Sequence, residues 1–408
     1  MKLVGRRFLL PFILISSLFF IWGFARSILD VLNKHFQDFL SISITGSALI
    51  QASTYAGYFI MALPAEIMMT RYGYRRGVVS GLLLFALGAF LFIPGERFLS
   101  FGIFLTALFV IGCGLAVLET AANPYASECG PKETASSRLN LSQSLNGLGC
   151  ILGPVVVGGW LFSKEGGSVS LPYTMMGIVV LIVAMIFSRV DLPEIGEDKE
   201  NDKRSAKASE EKKSGKVTGL IKELWSSGMF RLGVFTLFCY EIAEISINSL
   251  FINYVLSTGM MDKQAATALL SFGALGLFML ARIAGSWIMS KINAVKVLLV
   301  CGVCAALGAF LVSLDLGIVS SVGLFACYLF EAIMFPTIFA ITISGVKGDV
   351  KLASSFLMMT PVGGAVGTLL MGVIADKVDI STAFLVPAMA YIAVILFAVK
   401  KFMRSGAD

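Results

Sequence analysis

Long apolar runs recur along the whole chain, separated by short polar stretches. Each approaches the ~20 residues a helix needs to cross the hydrocarbon core of a bilayer. The runs are continuously apolar, whereas a membrane barrel would alternate apolar and polar residues over about ten residues. The pattern predicts an all-α membrane protein with twelve transmembrane helices, near 8–32, 44–69, 77–95, 100–126, 139–163, 170–189, 229–256, 263–290, 295–314, 318–345, 352–376 and 381–403. The run after Arg6 and Arg7 is too long for a secretory signal, carries Asp30 and is followed by many more runs, so it reads as the first helix. Between the sixth and seventh runs lies "DLPEIGEDKENDKRSAKASEEKKSGK", a dense mixture of both charge signs with almost no bulky apolar residue. Such a stretch stays in water. It divides the chain into a six-helix bundle at 1–190, a cytoplasmic charged linker at 191–226 and a second six-helix bundle at 227–408.

Composition sharpens this picture. Of 408 residues, 57% are apolar and 14% charged, against about 25% charged in soluble domains. With a mean hydropathy of +0.86, a soluble globular domain and general disorder are both excluded. The net charge of +6 does not point to nucleic acid, because the basic residues sit beside the spans. Lys2, Arg6, Arg7, Arg71, Arg75, Arg76, Lys132, Arg138, the linker, Lys291, Lys296, Lys347, Lys351, Lys400, Lys401 and Arg404 fall on one side. Lys34, Arg97, Lys164, Lys263 and Lys377 fall on the other. The positive-inside rule then places both termini and the linker in the cytoplasm. The seven cysteines show no zinc-like clustering, and the Cys301/Cys304 pair reads as two small packing residues. His35 is the only histidine, which excludes a multi-histidine metal centre; no cofactor motif or enzyme constellation stands out.

The halves echo each other. "ALGAFL" at 86–91 returns at 306–311, in the third helix of each half. "SLFF" at 17–20 matches "TLFC" at 236–239, and Glu119 with Pro124 repeats the spacing of Glu331 with Pro336. Two six-helix bundles in pseudo-twofold, parallel repeat describe a transporter of the major facilitator type.

Ionisable groups inside the spans are the candidate chemistry, since a charge at bilayer depth costs at least about 2.5–3.5 kcal/mol. The first helix carries Arg26 and Asp30, one turn apart on one face; the fourth carries Glu119, the seventh Glu241 and Glu244, the tenth Glu331. Four helices bearing such groups should face a common interior. A carboxyl that holds its proton in a dry cavity and releases it to water suits a proton-coupled step. The competing reading is a static Arg26–Asp30 bridge, with Glu241, Glu244 and Glu331 bridged to Arg26 or Arg282. Gln51, Asn123, Gln143, Asn146, Asn248 and Asn253 also fall within spans. Amides offer both donor and acceptor to a polyol, and Trp22, Tyr55, Tyr58, Tyr125, Tyr240 and Tyr254 offer flat faces to a sugar ring. Gln143 and Asn146 share one helical face, suited to neighbouring hydroxyls or to helix–helix hydrogen bonding.

Several strings resemble a known family. "SLFFIWGFARSILDVLNKHFQ" (17–37), "YAGYFIMALPAEIMM" (55–69), "VLETAANPYASECGP" (117–131), "RLNLSQSLNGLG" (138–149) and "MFPTIFA" (334–340) resemble the fucose/glucose/galactose permeases, the sugar–proton symporter branch of the major facilitator superfamily. The resemblance implies a secondary active transporter that imports a monosaccharide by proton symport and alternating access. It implies roles for Asp30 and Glu119 in substrate binding and proton coupling, and for Gln143 and Asn146 in the sugar site. Trp22, Gln51, Asn123, Tyr240, Glu244 and Asn248 complete the expected substrate site. Arg26, Glu241, Glu331, Arg282, Arg71 and Arg75 are the expected charge partners and gating residues. Where the fucose permease has asparagines before its aspartate, this chain has Arg26, Ser27 and Leu29, which leaves Glu119 the better proton carrier. "RYGYRR" (71–76) resembles the superfamily's basic loop, with Thr70 in place of its acid and Glu66 a substitute. "GCILGPVVVGG" (149–159) nearly matches a motif of proton-coupled drug antiporters, with one residue too many before the glycine pair. That motif carries the alternative, export by antiport; the other reading is close helix packing. The coupling ion is H⁺, with Na⁺ the variant. The expected partners are a sugar and membrane lipid, in a bacterial cytoplasmic membrane, as a monomer.

Overall fold

A computed structural model of the chain describes residues 4, 8–129, 135–163, 167–190, 192, 221–289, 291–346 and 350–405. The core of the expected linker, and Lys2, Arg6, Arg7, Lys132, Lys164 and Lys347, lie outside the described residues. Twelve long helical units account for the described chain. They are α1 Leu9–Phe39, α2 Ile44–Tyr72, α3 Tyr74–Arg97, α4 Phe101–Glu128, α5 (135–161), α6 Ser170–Arg189, α7 Gly228–Ser257, α8 Lys263–Met289, α9 Ala294–Ser313, α10 Ile318–Ser344, α11 (Val350–Leu357 and Val362–Lys377) and α12 (380–405). Eleven are long and apolar enough to cross a bilayer. The twelfth, α2, has the length but carries Gln51, Ser53, Thr54 and Glu66. Its polar residues are tolerated because it packs along α11. Residues 221–226, expected within the linker, are helical; Leu224 packs with Phe230 and Ala353.

The helices alternate in direction, so α1 starts on the face that carries the termini (the near face) and ends on the opposite, far face. The most apolar stretch of α7 is 83% buried and that of α6 28%; α7 is therefore central and α6 faces lipid with Ile178, Val179, Ile182 and Met185. The "ALGAFL" repeat has a packing cause. A Cβ on Gly88 would meet the Ala107 carbonyl of α4 at 2.7 Å, and one on Gly308 the Gly323 carbonyl of α10 at 2.7 Å. In each half, the third helix touches the fourth backbone to backbone at this glycine.

"GCILGPVVVGG" also has a structural reading. Gly149 and Gly153 lie against Phe20 and Phe24 of α1, and a π-turn at Pro154–Gly158 takes up the one residue too many. A second π-turn, Leu269–Leu275 in α8, touches the first across the boundary between the halves.

A run of polar contacts joins the halves on the far side. Asn33 Nδ2 donates to Ser249 Oγ (2.7 Å) and to its carbonyl (2.8 Å). Asn253 Nδ2 donates to Gln37 Oε1 (2.6 Å), and Gln37 Nε2 to Ser47 Oγ (2.9 Å). Lys263 pairs with Asp38 at 2.7 Å, and Gln264 donates to the Phe162 carbonyl at 3.2 Å. Asp376 accepts from the backbone of Ile44 and Thr45. The Asn33–Ser249 and Gln37–Asn253 pairs share a separation of 216 residues, as two parallel helices meeting at a pseudo-twofold axis require.

Candidate functional site

Trp22, Arg26 and Asp30 follow one another at four-residue steps, so α1 presents them on one face. The close α1–α5 contact at Gly149 and Gly153 turns that face toward α2 and α7. The Arg26 guanidinium donates from Nη2 to Glu244 Oε2 at 2.7 Å and from Nε to the Tyr55 hydroxyl at 3.1 Å. Glu241 Oε2 lies 4.0 Å from the same nitrogen, and Asn248 Nδ2 donates to Glu244 Oε1 at 3.3 Å. Asp30 instead accepts from Gln51 Nε2 at 3.1 Å. The arginine thus bridges the two halves, and its ion pairs go to α7 rather than to Asp30 within α1. Side-chain exposure falls from 28% at Arg26 to 10% at Glu244 and 5% at Glu241. The cation is wetted and its carboxylate partners lie behind it.

Glu119 has a different environment. It is half-buried, and among the described residues no hydrogen bond or ion pair reaches it. It lines two small clefts. One is bounded by Leu18, Phe19, Trp22, Leu118 and Ala122, the other by Tyr58, Ala62, Ala116, Thr120 and Met358. Each has room for about one water (~10 Å³). Trp22 Nε1 donates to the Tyr58 hydroxyl at 2.5 Å, which joins α1 to α2 beside the carboxyl. A sugar reaches this point only when side chains part.

The remaining expected site residues divide into two groups. Gln143 is half-buried and donates to Asn123 Oδ1 at 3.4 Å, and Asn123 stands one turn beyond Glu119 on α4. Asn146 is 7% exposed and donates to the Phe19 carbonyl at 3.2 Å, so its amide serves the α1–α5 contact in this conformation. Tyr240 is buried against Phe335. Glu331 is fully buried; Oε2 accepts from the Tyr391 hydroxyl, and Oε1 has no partner among the described residues. Arg282 donates to the Ala332 carbonyl at 3.0 Å and lies over the Phe278 ring, with no ion pair to Glu331 among the described residues. On the near face, Arg71 lies over Tyr72, and Arg75 donates to the Ser188 carbonyl of α6.

Sequence reasoning passed over Asn33, Gln37, Ser249, Asp376 and Tyr391. The matched four-residue steps of Asn33/Gln37 and Ser249/Asn253 were a usable indication of facing polar ladders. Tyr391 carried none, because one tyrosine in an apolar helix reads as packing.

Comparison with known proteins agrees with this architecture. The sequence pattern of the Major Facilitator Superfamily matches residues 13–354. The chain is 32% identical to the L-fucose-proton symporter of Escherichia coli K12, over 97% of this chain and 93% of that protein. It is 33% identical to the glucose/galactose transporter of Brucella abortus, over 92% and 90%. Among solved structures, the fucose transporter in its outward conformation superposes with a TM-score of 0.73 at 32% identity, over 97% of this chain and 99% of that one. A D-xylose-proton symporter shares the fold, with a TM-score of 0.75 at 13% identity over 96% and 97%. With its paired bundles, membrane-spanning helices and matching pattern over most of its length, the chain belongs to the Major Facilitator Superfamily.

Proposed function

We propose that the chain imports a monosaccharide of the fucose, glucose or galactose class together with protons, by rocking its two halves about the α1–α7 seam. Glu119 carries the proton. The observation that bears most weight is this carboxyl at membrane depth: it has no hydrogen bond or ion pair among the described residues and borders water-sized clefts. An ionised group so placed is costly, and a proton that comes and goes removes that cost in one state and restores it in the other. Trp22, Tyr58, Gln143 and Asn123 beside it provide a flat ring face and amide groups for hydroxyls. The named activities of the relatives support the substrate class. Basic residues concentrated at the near face support cytoplasmic termini, and the polar seam supports a state that is shut at the far face. The antiporter reading loses its motif, since Gly149 and Gly153 serve the α1–α5 contact.

Uptake of a panel of labelled monosaccharides into cells expressing the protein, with and without an uncoupler, tests this reading. One of fucose, glucose or galactose accumulates, and the uncoupler abolishes accumulation. Failure of every sugar with correctly inserted protein overturns it.

A further inference from the structure

We propose that Asp376 is a positioning residue for alternating access: from the second half of the chain it caps the N-terminus of α2 in the first half and so holds the far face shut. Its Oδ1 accepts from Ile44 N at 3.1 Å and its Oδ2 from Thr45 N at 2.8 Å. The first N–H groups of a helix have no intrahelical acceptor, and that end carries partial positive charge. The hydroxyl of Ser43, the local cap, accepts from Gly46 N at 3.0 Å and leaves the Ile44 and Thr45 donors to Asp376. The acid that completes the cap therefore comes from the opposite half.

The position of Asp376 on its own helix points the same way. It lies in the last turn of α11, where the helix dipole opposes an acid. The charge is unfavourable for α11 and favourable for α2. One turn earlier, Gly372 lets the backbones meet; a Cβ there would stand 3.0 Å from Thr45 Cα. Parting α2 from α11 breaks these hydrogen bonds at once and returns the α2 donors to water. A second aspartate provides the contrast. Asp379 accepts from Thr382 N at 2.7 Å and from its hydroxyl at 2.6 Å, a cap made within α12 and so indifferent to the relative position of the halves.

The inference rests on the rocking-halves reading but needs no knowledge of the sugar. The experiment uses the full chain in lipid nanodiscs, with the half-buried Cys150 and Cys304 replaced and spin labels at Phe98→Cys and Leu316→Cys. These are exposed positions on the far-face loops of the two halves. Double electron–electron resonance gives the distance distribution. The parent shows mainly the short, closed distance. Asp376→Asn, which keeps shape and loses charge, raises the open-to-closed ratio about tenfold, equivalent to ~1.4 kcal/mol; Asp376→Ala raises it at least as far. Asp379→Asn matches the parent. The proposal is overturned if Asp376→Asn and Asp376→Ala match the parent, or if Asp379→Asn opens the face equally. Gly372→Leu, a wedge between the two backbones, separates the two failures. If it lengthens the distance while Asp376→Asn does not, only the latch is wrong. If nothing lengthens it, the rocking-halves reading falls as well.

Discussion

At the scale of single residues, the central feature is one arginine facing several acids. Arg26 satisfies Glu244 directly and stands 4.0 Å from Glu241. Removing one partner of a buried ion pair leaves an uncompensated charge and costs about 3–5 kcal/mol; the partial exposure of Arg26 puts this pair toward the lower figure. Arg26→Ala is therefore expected to lower thermal stability in detergent clearly, and Glu244→Gln to lower it less. In a double-mutant cycle the two losses are not additive, because the pair acts as a unit. Additive melting-temperature losses would show that the pair contributes nothing as a pair. The sequence pointed to every acid in this cluster, but not to which acid Arg26 would take. Four-residue spacing favoured Asp30, whereas a long guanidinium on a helix beside the pseudo-twofold axis reaches α7 as easily. Glu119 and Glu331 show the same limit. They occupy equivalent places in the repeat, yet one borders clefts and the other is sealed against Tyr391.

At the scale of elements, helix positions were legible because apolar runs mark spans directly. The ends were less so. The polar last two turns of α1 look like a loop to a hydropathy reading and continue as helix because α7 and α2 supply partners for Asn33 and Gln37. The glycines of α5 carry a sharper prediction. A Cβ on Gly153 would stand 2.4 Å from Ser27 Oγ and 2.7 Å from the Phe24 carbonyl, while one on Gly159 meets nothing within 4 Å. Gly153→Ala should lower stability by about 1–3 kcal/mol through overpacking, and Gly159→Ala should be neutral. Fluorescence-detected size-exclusion after a heat step distinguishes them. Equal melting curves would remove the packing account of this segment and restore the antiporter reading of its motif.

At the scale of the whole molecule, two similar halves do dissimilar work. The first supplies the Glu119 carboxyl, unpaired among the described residues, and its aromatic–amide surroundings; the second supplies acids that hold Arg26 and the aspartate that caps α2. The far-side polar ladder and the Asp376 cap tie the halves at the face where, in the proposed orientation, a sugar enters, so the proposed cycle requires their release. Proton-driven uptake in this direction rises as the external pH falls, and initial rates of labelled-sugar uptake across external pH 8 to 6 (about a hundredfold change in proton activity) check the sign. The most direct test of the central claim is the external pH of weakly buffered cells on addition of a transported sugar, for the parent and for Glu119→Gln. The account predicts prompt alkalinisation with the parent and none with Glu119→Gln, while that variant still exchanges labelled for unlabelled sugar. Alkalinisation of normal size with Glu119→Gln would contradict it.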